Sequence, residues 1–252
     1  GNVSVSGRWN HLFNDKLFSN FTAFYSNYSY ALGVPEGTNA FEWTSNIENY
    51  NVKADFTYYL NPSNTLEFGV NGLLYRFQPG RAEGIGDNSF FNVIQVPIER
   101  AIEPAIYVSN EQVIGPFTLK YGLRYSHFFN VGATTVNYYE DGIPTQPEDI
   151  VRTEEVGYWE SIADYGGFEP RLAVNYLLNE RSSVKASYMR TRQYLHLVTN
   201  TASATPIDVW KPAGKYVEPA TADQVAVGYF RNFKNNIFEF SAEAYYKEMN
   251  NL

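Results

Sequence analysis

Three histidines, His11, His127 and His196, and a run of acids between residues 130 and 167 are where this 252-residue chain could do chemistry. An imidazole can act as a general base or bind a metal. These three are scattered, however, and with no cysteine in the chain no spacing resembles a zinc site. His11 and His127 fall on the apolar parity near strand ends, which suits packing better than catalysis. Asp141, Glu148, Asp149, Glu154, Glu155, Glu160 and Asp164 offer oxygens of the kind calcium takes. A charged, solvated loop is the default reading of such a run, so no metal site is assigned. No Gly-rich phosphate loop follows a strand. The sequence therefore points to no catalytic residue and to no cofactor. Arg190, Arg192, Tyr194 and His196 crowd the start of a long segment, 194–220, that also holds Trp210. Their guanidinium, imidazole and ring groups could hold a small-molecule ligand, although a loop histidine such as His196 is more often just solvated. Tyr138, Tyr139, Trp159 and Tyr216 also sit in long segments. They could stack on a sugar or a chelate, or pack the loops together.

The elements that must position these groups are β-strands. In 49–60, Tyr50, Val52, Ala54, Phe56, Tyr58 and Leu60 share one face and Asn49, Asn51, Lys53, Asp55 and Thr57 the other. In 117–126, Phe117, Leu119, Tyr121, Leu123 and Tyr125 oppose Thr118, Lys120, Gly122, Arg124 and Ser126. The same period predicts strands near 2–12, 17–30, 45–60, 65–77, 99–113, 117–129, 168–178, 183–193, 221–233 and 237–247. Two are less clean: Leu73, Leu74 and Tyr75 break the alternation in the fourth, and Pro104 in the fifth suggests a bulge or a misread edge. Connections alternate strictly. Tight turns at 14–16, 61–64, 114–116, 179–182 and 234–236 are rich in Asn, Asp, Gly and Pro. The segments near 31–44, 78–98, 130–167 and 194–220 are long. In an up-and-down sheet this puts every short turn on one rim and every long loop on the other, as in barrels of the bacterial outer membrane.

Composition agrees. Aromatics make up 17% of the chain, with 21 Tyr and 18 Phe. Mean hydropathy is −0.36, and no apolar run approaches the ~20 residues of a membrane helix. A barrel strand shows lipid only every second residue, so a low average is compatible with a membrane. The apolar face ends in Trp9, Tyr28, Tyr30, Tyr58, Tyr59, Tyr125 and Tyr246, residues suited to a membrane interface. A net charge of −8 argues against a nucleic-acid partner. The first residues already alternate like a strand, so no signal peptide is expected within the chain.

The second half resembles the barrel of TonB-dependent outer-membrane receptors, of the kind common in Bacteroidetes. The likeness lies in Gly167-Phe168-Glu169-Pro170-Arg171-Leu172, in Ser187-Tyr188-Met189-Arg190-Thr191-Arg192-Gln193-Tyr194-Leu195-His196-Leu197, and in Val217-Glu218-Pro219-Ala220 running on to Phe230-Arg231; Glu243-Ala244-Tyr245-Tyr246-Lys247-Glu248-Met249 also fits. The resemblance implies an all-β, antiparallel transmembrane barrel in a Gram-negative outer membrane. Residues 1–252 would supply about ten of its 22 strands. The N-terminal plug, the segment that meets the TonB complex and the signal peptide would lie outside them. It further implies import of a scarce nutrient (a metal chelate, vitamin or oligosaccharide) captured by the long loops, and leaves room for a surface lipoprotein as partner. Arg190, Arg192, Tyr194, His196 and Trp210 would be the ligand-binding residues. Two other readings stay open: a small outer-membrane barrel hydrolase, which needs a His–acid or Ser–His constellation at the rim, and a soluble β-sandwich that binds a ligand.

Overall fold

The computed structural model describes residues 1–38, 40–86, 92–140, 142, 146–199, 208–234 and 237–251. In chain order the strands are β1 (Asn2–Asn14), β2 (Leu17–Val34), β3 (Phe41–Asn61), β4 (Asn64–Gly84), β5 (Ile94–Gln95), β6 (Glu99–Ile114), β7 (Phe117–Val131), β8 (Thr134–Tyr139), β9 (Ile150–Val156), β10 (Ser161–Asn179), β11 (Ser182–Gln193), β12 (Leu195–Thr199), β13 (Asp208–Pro212), β14 (Ala220–Phe233) and β15 (Phe238–Asn250). Ten of them form one antiparallel sheet in the order β1-β2-β3-β4-β6-β7-β10-β11-β14-β15, with β5 beside β4. These ten are the ten that the alternation predicts, most of them longer at the end away from the tight turn.

Each strand pairs with the strand its turn leads to, so the tight turns share one rim. Three of them are built alike. Asn14 Oδ1 accepts the N–H groups of Lys16 and Leu17, Asn61 Oδ1 that of Ser63, and Asn179 Oδ1 that of Arg181, all at 2.9–3.0 Å. A fourth turn places Gly115 at φ +56°, which favours glycine. In the fifth, Lys234 is described, while Asn235 and Asn236 lie outside the described residues.

Register separates the two faces. One row runs Asp55↔Gly69↔Tyr107↔Arg124↔Glu169, the next Phe56↔Phe68↔Val108↔Leu123↔Pro170. The polar row lines the concave side. The apolar row faces outward, where Val52 is 64% and Ile106 60% exposed, a surface made for lipid rather than water. Outward rings near the turns stack into a girdle: Trp9 on Phe21 at 5.3 Å, Phe56 on Phe68 at 5.2 Å, and Phe117 on Tyr176 at 4.6 Å. Tyr28, Tyr30 and Tyr59 do not belong to it. They pair with Ile47, Ser45 and Thr65 on the inward parity, so these three are inner-wall tyrosines and not the interfacial ones the sequence suggests.

Pro104 needs no bulge. It sits in the central strand β6 opposite Gly72, and the β6–β7 register is unshifted on either side of it. Only the pairing toward β7 opens at Glu103 and Pro104, where proline has no N–H to give.

The broken alternation at Leu73, Leu74 and Tyr75 has a physical reason. Leu73, Tyr75 and Phe77 point inward, and the upper inner wall is apolar because something covers it. The cover is the β12–β13 hairpin, which folds from the long segment 194–220 onto β4 and β6. Tyr75, Phe77, Ala101, Phe128, Tyr194 and Ala213 form the buried cluster, with Leu73, Leu195 and Trp210 packed against it. A second hairpin, β8–β9, rises from 130–167.

Candidate functional site

Tyr194 joins the inner wall to the covering hairpin. It follows β11 directly, where the chain leaves the sheet for β12. Its ring stacks on Phe128 with centroids 4.9 Å apart and planes within 6°. Its hydroxyl meets Ser126 Oγ at 2.8 Å. Burial raises the phenol above its ordinary range, against the opposing effects of the Ser126 hydrogen bond and the Arg192 charge. Ser126 donates in turn to Glu169 Oε1 at 2.7 Å. Arg124 stands between Glu169, at 3.5 Å, and Glu103, at 3.8 Å, and Tyr75 donates to Glu103 at 3.2 Å. Charges this poorly hydrated persist because each finds partners. The sequence marks Arg124 and Ser126 only as polar-face residues; nothing in the alternation shows that they connect four strands.

The hairpin has further ties. Lys211 Nζ lies 3.3 Å from a Glu99 carboxylate oxygen, Asn130 Nδ2 donates to the Ala213 carbonyl at 2.9 Å, and Tyr165 Oη donates to the Gly214 carbonyl at 2.7 Å. Trp210, paired across the hairpin with Leu197, packs on the buried cluster. His196 is in β12, partly buried, and its Nε2 has no hydrogen-bond partner among the described residues. Arg192 lays its guanidinium over Gly167. A Cβ there would stand 2.1 Å from an Arg192 nitrogen, so the glycine is what makes the room.

Of the five residues singled out in the sequence, the fold thus brings Tyr194 and Trp210 into one cluster, with Arg192 and His196 beside them. Arg190 is placed elsewhere. It pairs with Asp223, to which it donates from Nε at 2.9 Å and from a terminal nitrogen at 2.8 Å, and Tyr188 donates to the same carboxylate. Tyr188 lies between Leu172 and Val225 in the outward row, and Arg190, two residues on, shares that face.

Tyr138, Tyr139 and Tyr216 pack the loops together, whereas Trp159 stays half exposed against its neighbour Tyr158. Tyr138 lies between the Arg152 guanidinium at 3.9 Å and Lys215 Nζ at 4.1 Å, while Tyr216 meets Tyr139 edge-on and donates to the Asn137 carbonyl. These contacts tie the β8–β9 hairpin to the turn after β13. The acids of 130–167 are dispersed in the same way. Glu154 takes Tyr138 and Arg152, Glu155 takes Thr135, and Glu160 accepts the Gly157 N–H. Among the described residues no group of three metal-binding side chains forms, and Asp141 lies outside them. His127 does have an acid beside it: Asp164 at 3.0 Å, with Tyr125 at 3.1 Å on the other ring nitrogen. The trio faces outward beside Phe129 and Phe168, a membrane-interface arrangement.

A family model described as "TonB dependent receptor-like, beta-barrel" matches residues 1–252, the whole chain. The chain belongs to this family. The family's members are outer-membrane β-barrels of Gram-negative bacteria, which gives the outward apolar rows their lipid and places this barrel in that membrane. Solved structures share the fold at low identity. The copper transporter OprC superposes with a TM-score of 0.64 at 10% identity over 97% of this chain and 38% of its own. FpvA of P. aeruginosa, solved bound to an iron–pyoverdine complex, gives 0.65 at 15% identity over 98% and 32%. The FrpB iron transporter from Neisseria meningitidis gives 0.62 at 11% over 98% and 36%. The chain spans about a third of the length of these proteins. No curated protein matches the sequence.

Proposed function

We infer that residues 1–252 are the outer-wall part of a receptor that captures a scarce nutrient at the cell surface and imports it through the barrel with energy from TonB. One observation carries this reading: the β12–β13 hairpin is folded into the concave side near the long-loop rim and anchored through Tyr194 to the inner wall. Such a hairpin presents Trp210 and His196 beside the mouth of the lumen, next to Arg192 at the end of β11. The ligand class in keeping with those groups is a metal chelate, a vitamin or an oligosaccharide. Arg190, paired with Asp223 on the outward face, stands on the other side of the wall from this mouth and supports it only through the β11–β14 pairing. The plug, the TonB-contact segment and the remaining strands of a 22-stranded barrel would come from elsewhere in the full-length protein, and a surface lipoprotein could cover the loop rim. The motifs at 167–172 and 217–231 are what support a Bacteroidetes-type member.

The reading is of a transporter and not an enzyme. The family is one of receptors and transporters, and the His127–Asp164 pair faces lipid rather than a cleft where a substrate would sit. The test uses the full-length protein in its own cells. Deleting 195–212, which removes the hairpin and leaves the ten-strand sheet, should abolish capture and uptake of the nutrient that supports growth. Unchanged uptake would overturn the role given to the hairpin.

A further inference from the structure

The outward face changes character within one step of the register. The row Tyr25↔Tyr50↔Leu74↔Ile102↔Phe129 is apolar or aromatic throughout. The next outward row is Asn27↔Glu48↔Arg76↔Arg100↔Val131. Arg76 and Arg100 lie 12 and 14 residues from the turn-side ends of their strands, Asn64 and Ile114. At ~3.3 Å per residue and a tilt near 45°, that is roughly 30 Å above the turns, just past an apolar band about 25 Å tall. This row therefore stands at the headgroups of the outer leaflet.

Two arginines directly opposite one another repel. Glu48 accepts one of them, from Arg76 at 2.8 Å, and its other oxygen takes Tyr50 at 3.4 Å. Arg100 has no carboxylate among the described residues; its guanidinium lies over the Tyr158 ring at 5.0 Å. The row thus carries one positive charge more than it neutralises, at the depth where lipid phosphates stand. Higher on the same face, Arg81 is matched by Glu83 at 2.8 Å; lower down, Arg190 is matched by Asp223. Among the described outward arginines toward the long-loop rim, Arg76 and Arg100 are where the matching fails; Arg231, also without a carboxylate, lies at the turn end of β14.

We propose that Arg76 and Arg100 form an outward-facing site for the phosphate of an anionic outer-leaflet lipid headgroup. The phosphate oxygens bridge the two guanidinium forks and relieve their repulsion, and Tyr158 holds Arg100 in position. Acyl chains then run down along Leu74, Ile102 and Phe129. This site lies on the opposite face from the ligand mouth, so it stands or falls independently of the import reading.

The test is lipid retention by the full-length protein purified from outer membranes. After exchange into a neutral detergent, native mass spectrometry counts bound phosphate-bearing lipid. The double variant Arg76→Gln/Arg100→Gln should lose it by about fivefold or more per arginine. Arg81→Gln should retain the wild-type amount, and Glu48→Gln should retain at least as much. Heat-modifiable migration in electrophoresis shows that each variant is folded. Inorganic phosphate added alone separates a headgroup from a free anion. Retention that survives it supports a lipid site; displacement at millimolar phosphate makes this a simple anion site and overturns the proposal. Equal retention by the double variant and the wild type, or a protein instead of a lipid bound there, overturns it too.

Discussion

Tyr107 on β6 reaches across Gly69 on β4 to donate a hydrogen bond to Asp55 on β3, joining two strands that are not neighbours. Lys53 completes the group, 2.9 Å from Asp55 and over the Tyr107 ring. A Cβ on Gly69 would stand 2.7 Å from the Tyr107 hydroxyl and 2.5 Å from the Ala54 carbonyl. Gly69→Val should therefore destabilise the barrel by about 1–3 kcal/mol, and Tyr107→Phe by about 1 kcal/mol. Urea titration of the folded protein in detergent, followed by heat-modifiable migration, reads both. In a Tyr107→Ala background the Gly69→Val loss should shrink without vanishing, because the Ala54 carbonyl stays. A loss unchanged by that background would show that the bridge is not what the glycine serves.

The lipid face can be tested at its middle. Leu123 is outward, beside Val108 and Pro170, six residues above the start of β7. Leu123→Arg should cost roughly 2–4 kcal/mol near the bilayer midplane. Thr118 faces inward beside Asn175, and Thr118→Arg should be much milder. Equal losses in the same titration would reverse the assignment of faces.

The ten wall strands were legible because lipid on one side and polar lumen on the other impose a period of two, which Val52, Phe56, Leu119 and Leu123 keep without exception. Turn chemistry at Asn14, Asn61 and Asn179 added the connectivity. The inner upper wall was harder. There Leu73, Tyr75 and Phe77 are apolar on the side expected to be polar, because a hairpin more than a hundred residues away in sequence covers them. Tyr28 and Tyr30 misled for a related reason: a tyrosine near a strand end suits a membrane interface and an inner wall equally, and only the register decides. The hairpins themselves left little trace, since short strands such as β12 and β13 pair with each other and do not face lipid. The ion pair of Arg190 with Asp223 is likewise invisible in sequence, the two residues being 33 positions apart and brought together only by the β11–β14 register.

Tyr194 gives a direct measure of hairpin docking. Tyr194→Ala removes a ring stacked on Phe128 and should cost about 3–5 kcal/mol, as large aromatic truncations in cores do. Tyr194→Phe keeps the stack and loses the Ser126 hydrogen bond, at about 1 kcal/mol. Limited proteolysis should cut within 195–212 in the first variant and spare the second. The phenol is raised by burial, so the docked state holds more protons than the released one. Docking should be at full strength below the ordinary tyrosine range, about pH 10, and weaken as pH climbs above it. In Tyr194→Phe that alkaline weakening should disappear. Persistence of the same pH dependence in the phenylalanine variant would assign it to another group.

Among the described residues β1 and β15 each pair on one side only, and their other edges carry unpaired backbone N–H and C=O groups. In hydrocarbon each such group costs several kcal/mol. A ten-strand sheet cannot remove both edges without changing its tilt and stagger, since strand number and shear are linked in a closed barrel. The curvature here is that of a much larger barrel, as the superposition on about a third of OprC and FpvA indicates. Residues 1–252 alone, refolded into liposomes, should therefore aggregate, pair edge to edge or close into a strained ring, and in none of these states should they import the nutrient. The full-length protein in the same liposomes, given its energy supply, is the comparison. Selective uptake by the isolated segment would mean that the ten strands close productively by themselves, and would refute the reading of this chain as one sector of a larger wall.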